Sequence, residues 1–393
     1  MSRGRHLGLA GGAAVAVVYG LARYGYGLFL PKMRQEFGLS EDVLGLIAGG
    51  SYAGCLGALV AVYLLASRVG PRPLVVAGGL SAFAGMALVS LAPNAAVLAA
   101  GVVLAGTGVG WAWTPYNDAA ERMVEDGKRA RVLSFISTGQ VFGMVAAAVI
   151  AYLAIDGWRA GWMVFAAVAL AVTAWNAWLL PAGASGEERG MADGEGPRSR
   201  FGWLVRARTA PLFAVALSFG AIVSVYFSFA VELVSGSEVL PGAAGPLLWI
   251  LVGIAGVSGF FTGDTVARFG LRHVLLVSFS ALGVAVGTLG LAPVSLPAVL
   301  FSAVLFGASV MLLGALFAVW SADVFGARSG AGLSVVVMVI TVGQIAGSVA
   351  AGFVAGGAGL GAAFVAAAGL ALATGLIRPY GFAGWEAAPQ ESA

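Results

Sequence analysis

The sequence predicts an all-α membrane protein: twelve transmembrane helices, arranged as two six-helix bundles related by a parallel repeat. Composition, the spacing of apolar runs and a sequence echo at a fixed offset carry that prediction. Of the 393 residues, 60% are hydrophobic and 10% are charged, and the mean hydropathy is +0.95. A soluble domain averages roughly 25% charged residues. The net charge of +3 then reports loop orientation rather than nucleic-acid binding. Cys55 is the single cysteine, which allows neither an intrachain disulfide nor a zinc cluster. Only two histidines occur, His6 and His273, both at helix ends, and no Gly-x4-Gly-Lys-Ser/Thr pattern appears. An enzyme, a metal site, a cofactor and an ATPase are therefore not expected.

Apolar stretches of about 20 residues recur along the chain, each long enough to cross roughly 30 Å of hydrocarbon. They fall at 7–30, 42–66, 73–92, 95–120, 131–154, 159–180, 209–233, 244–267, 273–291, 297–321, 330–354 and 358–377. The opening, "MSRGRHLGLAGGAAVAVVYGLA", has the two arginines and apolar core of a signal peptide. The run continues to Pro31, however, so it reads as a retained first span. The one long connection, 181–208, is rich in glycine and charge and reads as a linker. It separates an N-terminal bundle (1–180) from a C-terminal bundle (209–378), and 379–393 forms a tail.

Basic residues set the orientation. With the N-terminus inside, seventeen arginines and lysines fall in inside loops and tails. Lys32, Arg34 and Arg159 fall outside, and Arg23 lies within the membrane. The positive-inside rule then predicts an inner-membrane protein with both termini and the linker cytoplasmic.

The halves echo each other. "ASRVGPR" (66–72) then "LAP" (91–93) returns as "VARFGLR" (266–272) then "LAP" (291–293), and Tyr26 and Phe29 return as Tyr226 and Phe229. "GQ" at 139–140 returns at 343–344. A parallel repeat of six-helix units is a known transporter plan, with its substrate site near the midplane between the halves. Glycines four apart (Gly50/Gly54, Gly139/Gly143, Gly259/Gly263, Gly343/Gly347) permit close helix approach. They read as general packing or as the seam between halves.

"YLLASRVGPR" (63–72) and "GDTVARFGLR" (263–272) resemble the cytoplasmic loop signature of the major facilitator superfamily, Gly-x-x-x-Asp-Arg-x-Gly-Arg-Arg. "TPYNDAAERMVEDGKRARVLS" (114–134) resembles that family's Pro…Ala-Glu…Arg pattern after helix 4. "ARYGYGLFLPKMRQEFGLS" (22–40) is similar to the opening of the bacterial YbfB/YjiJ-like branch. The likeness spans nearly the whole chain. It implies the superfamily fold, alternating access and proton coupling. Two departures stand out: the motif's Asp is Ser67 in one half and Ala267 in the other, and its first Gly is Tyr63. Helix 5 also lacks the Gly-Pro of the drug-antiporter signature.

Arg23 is the sharpest candidate. It lies roughly 24 Å from the inner end of its helix and about 12 Å from Pro31, at 1.5 Å per residue. A guanidinium at that depth is costly and rarely idle. Snorkelling outward would work against the N-terminal tilt of helix side chains, and a structural contact is the other alternative. Tyr19 (i−4) and Tyr26 (i+3) share its helical face. With Tyr226, they would shape a pocket for a carboxylate on a carbon skeleton. Gln140 and Gln344, about 15 and 22 Å deep, bond ligand or bridge helices. Asn117, with Trp111, Trp113, Pro115 and Trp320, is placed lower in the cavity. No acid is expected at Arg23's depth.

Nearer the inner face, Asp118–Arg122 and Asp264–Arg268 are i, i+4 pairs, acid first, which favours local ion pairs. With Arg68, Glu121, Asp323, Arg131 and Arg328 they are expected to form a cytoplasmic gate. The leading expectation is a monomeric secondary active transporter of a small organic anion, in symport with protons. The alternatives are proton-driven efflux of apolar or cationic compounds and a non-transporting membrane sensor or scaffold. The first would favour a deep acid; the second predicts a sizeable soluble domain or partner tail.

Overall fold

The computed structural model describes residues 3–154, 157–183, 208–235 and 244–379. Helix α1 is one continuous rod of three pieces: an α-helix Arg3–Val15, a π-helix Ala16–Arg23 and an α-helix Tyr24–Phe37. Then come α2 (Glu41–Val69), α3 (Pro71–Ser90) and α4, in two pieces, Ala95–Gly110 and Trp113–Met123. Helices α5 (Asp126–Leu153) and α6 (Trp158–Leu179) complete the first half. The second half opens with α7 (Thr209–Ser235). Helix α8 runs from Ala244 to Phe269, with a 3₁₀ stretch at Gly256–Phe261 between its α-helical pieces. Helices α9 (Leu271–Leu291), α10 (Leu296–Phe325), α11 (Ser329–Ala358) and α12 (Leu360–Gly375) follow. Eleven of these are long and apolar enough to cross a bilayer, and α12 is a shorter apolar helix. Most of the expected linker and tail, 184–207 and 380–393, lies outside the described residues.

Helix α1 overruns its expected end. Pro31 sits inside it, and the rod stops at Gly38, whose φ of 62° is left-handed and whose N–H bonds to the Arg34 carbonyl. An interior proline costs about 3 kcal/mol in an isolated helix. Here burial of Leu28, Phe29, Leu30 and Met33 on both sides of Pro31 offsets it. Lys32 and Arg34 are therefore helical residues rather than loop residues.

The repeat is visible in the joints and in the packing. Gly70 between α2 and α3 has φ 77°, and Gly270 between α8 and α9 has φ 78°. Both loop motifs thus turn on a glycine in a conformation that a Cβ disfavours. Helix α2 packs on α11, α5 on α8, and the outer part of α1 on α7. Exchanging the halves turns the first pair into the second and leaves the third unchanged.

The four-apart glycines pack inside each half, not along the seam. An added Cβ on Gly139 or Gly143 would meet the Gly12 or Ala16 carbonyl of α1, at 2.1 and 2.3 Å. Gly343 and Gly347 press in the same way on α7. Gly54 faces α4, and Gly259 faces α10. The seam uses other glycines. Gly45 of α2 meets Gly352 of α11 backbone to backbone, Gly27 of α1 abuts the Phe227 carbonyl, and Gly253 of α8 faces Val145 of α5. These contacts lie in the half of the bundle remote from the termini. There Arg34 Nη1 donates to Glu232 Oε1 at 2.8 Å, and its Nη2 donates to Glu41. One guanidinium on α1 thus holds carboxylates from both halves.

Candidate central site

The site begins with the π-helix. The Tyr24 N–H bonds to the Tyr19 carbonyl, five residues back, so the turn carrying Arg23 is wider than an α turn. Single π turns recur at functional sites. Gly20 makes room on the other side, where an added Cβ would lie 2.1 Å from the Gly143 carbonyl carbon.

Arg23 Nη2 donates to Gln344 Oε1, a bond from α1 in one half to α11 in the other. The guanidinium Cζ lies 4.7 Å from the Tyr52 ring centroid and 5.7 Å from that of Tyr19. The Tyr52 hydroxyl, on α2, is within hydrogen-bonding reach of Arg23 and of Ser228 on α7. Aromatic faces carry negative potential and suit a guanidinium in this geometry. Every one of these partners is uncharged. Among the described residues no carboxylate touches Arg23, so an amide oxygen and aromatic groups surround its charge without neutralising it.

Beside Arg23, Gln140 Nε2 of α5 donates to the Tyr24 hydroxyl at 2.9 Å. The Tyr24 ring stacks on Trp249 of α8, centroids 5.3 Å apart, and tilts against Phe227 of α7 at 4.6 Å. Phe227 and Trp249 stack at 5.5 Å. The Trp249 Nε1 is buried with no hydrogen-bond partner among the described residues, a donor at the edge of the cluster. Arg23, Tyr19 and Gln140 are only partly buried, whereas Tyr24, Tyr52, Trp249 and Gln344 are closed off.

The structure therefore joins Arg23, Tyr19, Gln140 and Gln344, and it separates the other expected residues. Tyr26 is buried a turn beyond Arg23, and its hydroxyl donates to the Leu44 carbonyl at 3.0 Å. Tyr226 is interior to the second half: it stacks on Phe306 with centroids 3.6 Å apart and shares a hydrogen bond with Ser302. Asn117 is exposed near the inner end of α4. Arg23's partner across the halves is neutral: Gln344, for which helix bridging was one of the two sequence readings.

At the end bearing the termini, Asp118 and Arg122 pair through two bonds of 2.7 and 2.9 Å, and Arg122 also donates to the Gly183 carbonyl. Asp264 and Arg268 do not pair: both are exposed, and Arg268 lies over the Phe269 ring instead. Glu121, Asp323, Arg131 and Arg68 are exposed and join no ion pair among the described residues. Among the described residues these four make no ion pair between the halves, and the seam contacts named above lie at the other end.

Three features escaped the sequence. Tyr24 was hidden because i, i+1 neighbours on a helix do not face one another, and its contacts to Gln140, Phe227 and Trp249 come from other helices. Tyr52 comes from another helix with no sequence signal. The Arg34–Glu232 bond had one: Glu232 is the repeat counterpart of Lys32, an acid answering a base across facing helices.

Two cavities lie away from Arg23. One of about 20 Å³, bordered by Trp111, Tyr116 and Asn176, lies inside the first half and is the size for one water. A groove of about 450 Å³ lies at the far end, beside Arg34 and Glu232.

The family model for the Major Facilitator Superfamily matches residues 12–294. Solved structures with the same fold include the E. coli xylose transporter XylE in a partially occluded inward-open conformation: 16% identity, 95% of this chain and 98% of that one, TM-score 0.74. The nucleoside transporter NupG aligns at 11% identity over 94% and 98%, TM-score 0.78. A bacterial homolog of the lysosomal transporter Spinster, inward-facing and unoccupied, aligns at 15% over 95% and 94%, TM-score 0.72. At these identities the likeness is one of fold. Among curated proteins, the "Transcription regulatory protein OpdE" of Pseudomonas aeruginosa is 30% identical over 158 residues, 39% of this chain and 38% of that protein. The chain thus aligns with well under half of that relative's length.

Proposed function

Because the chain belongs to the Major Facilitator Superfamily, and so is a membrane transporter rather than an enzyme, we propose that it moves a small organic anion by alternating access, with Arg23 as the anchor. The observation that carries the reading is a guanidinium deep between the halves, held by one amide oxygen and two tyrosine rings and by no carboxylate. An arginine is charged at every physiological pH. A site that leaves that charge uncompensated favours an anion. Tyr19, Tyr24 and Tyr52 form the aromatic wall, and Gln140 with Gln344 supplies amide groups.

The proposal includes both termini on the cytoplasmic side of the inner membrane, from the distribution of basic residues. The seam at the Gly45–Gly352 end would then face outward, and the site would be reached from the cytoplasm. Proton coupling and a monomeric state are part of the proposal, the first by superfamily resemblance. Efflux of cations would suit a carboxylate in the cluster, and none is among its described residues.

The test is ligand binding and counterflow with purified protein in vesicles, against a panel of carboxylates, sugars and cations. Arg23→Ala should abolish binding of the anions that bind wild type and leave the fold intact. Unchanged anion affinity in that variant would sink the anchor.

The name of the Pseudomonas relative favours one second reading, a membrane sensor. It predicts ligand binding without counterflow in the same vesicles.

A further inference from the structure

Gln344 is held so that only its side chain can yield. Gly343 and Gly347, on either side of it along α11, lie against the Leu217 and Ala221 carbonyls of α7, where an added Cβ would come within 2.0 and 2.3 Å. The α11 backbone is thereby seated on its own half, and the Gln344 carboxamide reaches across to Arg23. A carboxamide presents one planar carbonyl oxygen to a guanidinium. A carboxylate presents two oxygens of the same shape and adds a charge, and charge-assisted bonds are roughly twice as strong as neutral ones.

Resting on the anion-anchor reading above, we infer that the Gln344 carboxamide holds the place that the substrate's carboxylate takes on Arg23, and that a monocarboxylate with an uncharged body displaces it. The titratable side chains nearest Arg23 are Tyr52, Cys55, Tyr24 and Tyr19, phenols and a thiol that are neutral near pH 7. They include no second cation to meet a dicarboxylate and no carboxylate to meet an ammonium group. A second substrate charge would enter this cluster without a partner, which is costly away from water. The tyrosine rings suit a carbon skeleton. Displacement has a mechanical consequence: it removes a bond between the halves at the depth of the ligand.

The experiment measures affinity and melting temperature of the full chain in lipid nanodiscs. The probes are acetate, lactate, benzoate, succinate and alanine. The proteins are wild type, Gln344→Ala, the bulkier Gln344→Leu, Gln344→Glu and Arg23→Ala. If Gln344 competes with substrate, Ala and Leu each tighten binding of a monocarboxylate by on the order of tenfold, the worth of one hydrogen bond to a charged group. Gln344→Glu gives Arg23 a permanent carboxylate, so binding is lost and the melting temperature rises. Succinate and alanine bind at least tenfold more weakly than the best monocarboxylate.

Weaker or unchanged binding in both Gln344→Ala and Gln344→Leu overturns the inference and leaves the Arg23 anchor standing. Preference for succinate or alanine overturns the assigned substrate class. Binding that survives in Arg23→Ala, or is absent from wild type and both Gln344 variants alike, overturns the anchor and the inference with it.

Discussion

At the scale of single residues, Arg23 differs from the chain's outer arginines by its company. Arg34 and Arg159 each bond a carboxylate, Arg159 to Glu36 at 2.6 Å, whereas Arg23 bonds an amide. Arg23→Lys keeps the charge but loses the planar fork and its stacking on the tyrosine rings. We expect that variant to bind the anionic ligand at least tenfold more weakly while melting within a few degrees of wild type. Equal affinity would mean that only the charge matters. At the far end, Glu232→Arg should cost stability because Arg34 then faces a like charge across the halves. The double variant Arg34→Glu/Glu232→Arg should recover only part of it, since Glu41 meets a new carboxylate at position 34. A double-mutant cycle on melting temperature reads that coupling; strict additivity would show the 2.8 Å bond to be idle. How Arg23 stands in the site was legible in part. Its nearness to Tyr19 follows from position along one helix. Gln344 as its partner does not, because that bond joins residues 321 positions apart and depends on how the halves dock.

At the scale of elements, helix number and order could be read from the sequence because a bilayer demands long apolar runs. The failures come from departures from ideal helices. The π stretch at Ala16–Arg23 and the continuation through Pro31 alter faces and ends that a 3.6-residue repeat assigns. The glycine pairs left packing and seam both open for another reason: small residues show that a helix is approached closely, not by which neighbour. Gly143→Ala tests the approach. Its Cβ would lie 2.3 Å from the Ala16 carbonyl oxygen, whereas one on Gly57 meets nothing within 4 Å. Gly143→Ala should destabilise by about 1–3 kcal/mol, as overpacked positions do, and disturb ligand binding through the adjoining π turn. Gly57→Ala should be neutral or slightly stabilising, because alanine is the better helix former. Thermal melting of the two proteins decides it, and equal melting points would contradict the packing described for α1 and α5.

At the scale of the whole molecule, orientation is testable because Cys55 is the one cysteine and it is buried. In intact cells, an impermeant maleimide should label Lys32→Cys, at the far end of α1, and spare Arg131→Cys, at the start of α5. The reverse pattern would invert the proposed topology. The remote end has a further property. Its seam includes a backbone-to-backbone contact at Gly45 and Gly352, which can part without a rotamer change there. What remains to be broken there includes the ionic contacts of Arg34, which is partly exposed. Opening at that end should therefore be sensitive to electrolyte. The Debye length falls from about 30 Å at 0.01 M salt to about 3 Å at 1 M. If parting of this seam limits turnover, counterflow should quicken as salt outside the vesicle rises, and Glu232→Gln should be both faster and indifferent to salt. A wild-type rate that is flat across that range would place the slow step elsewhere in the cycle.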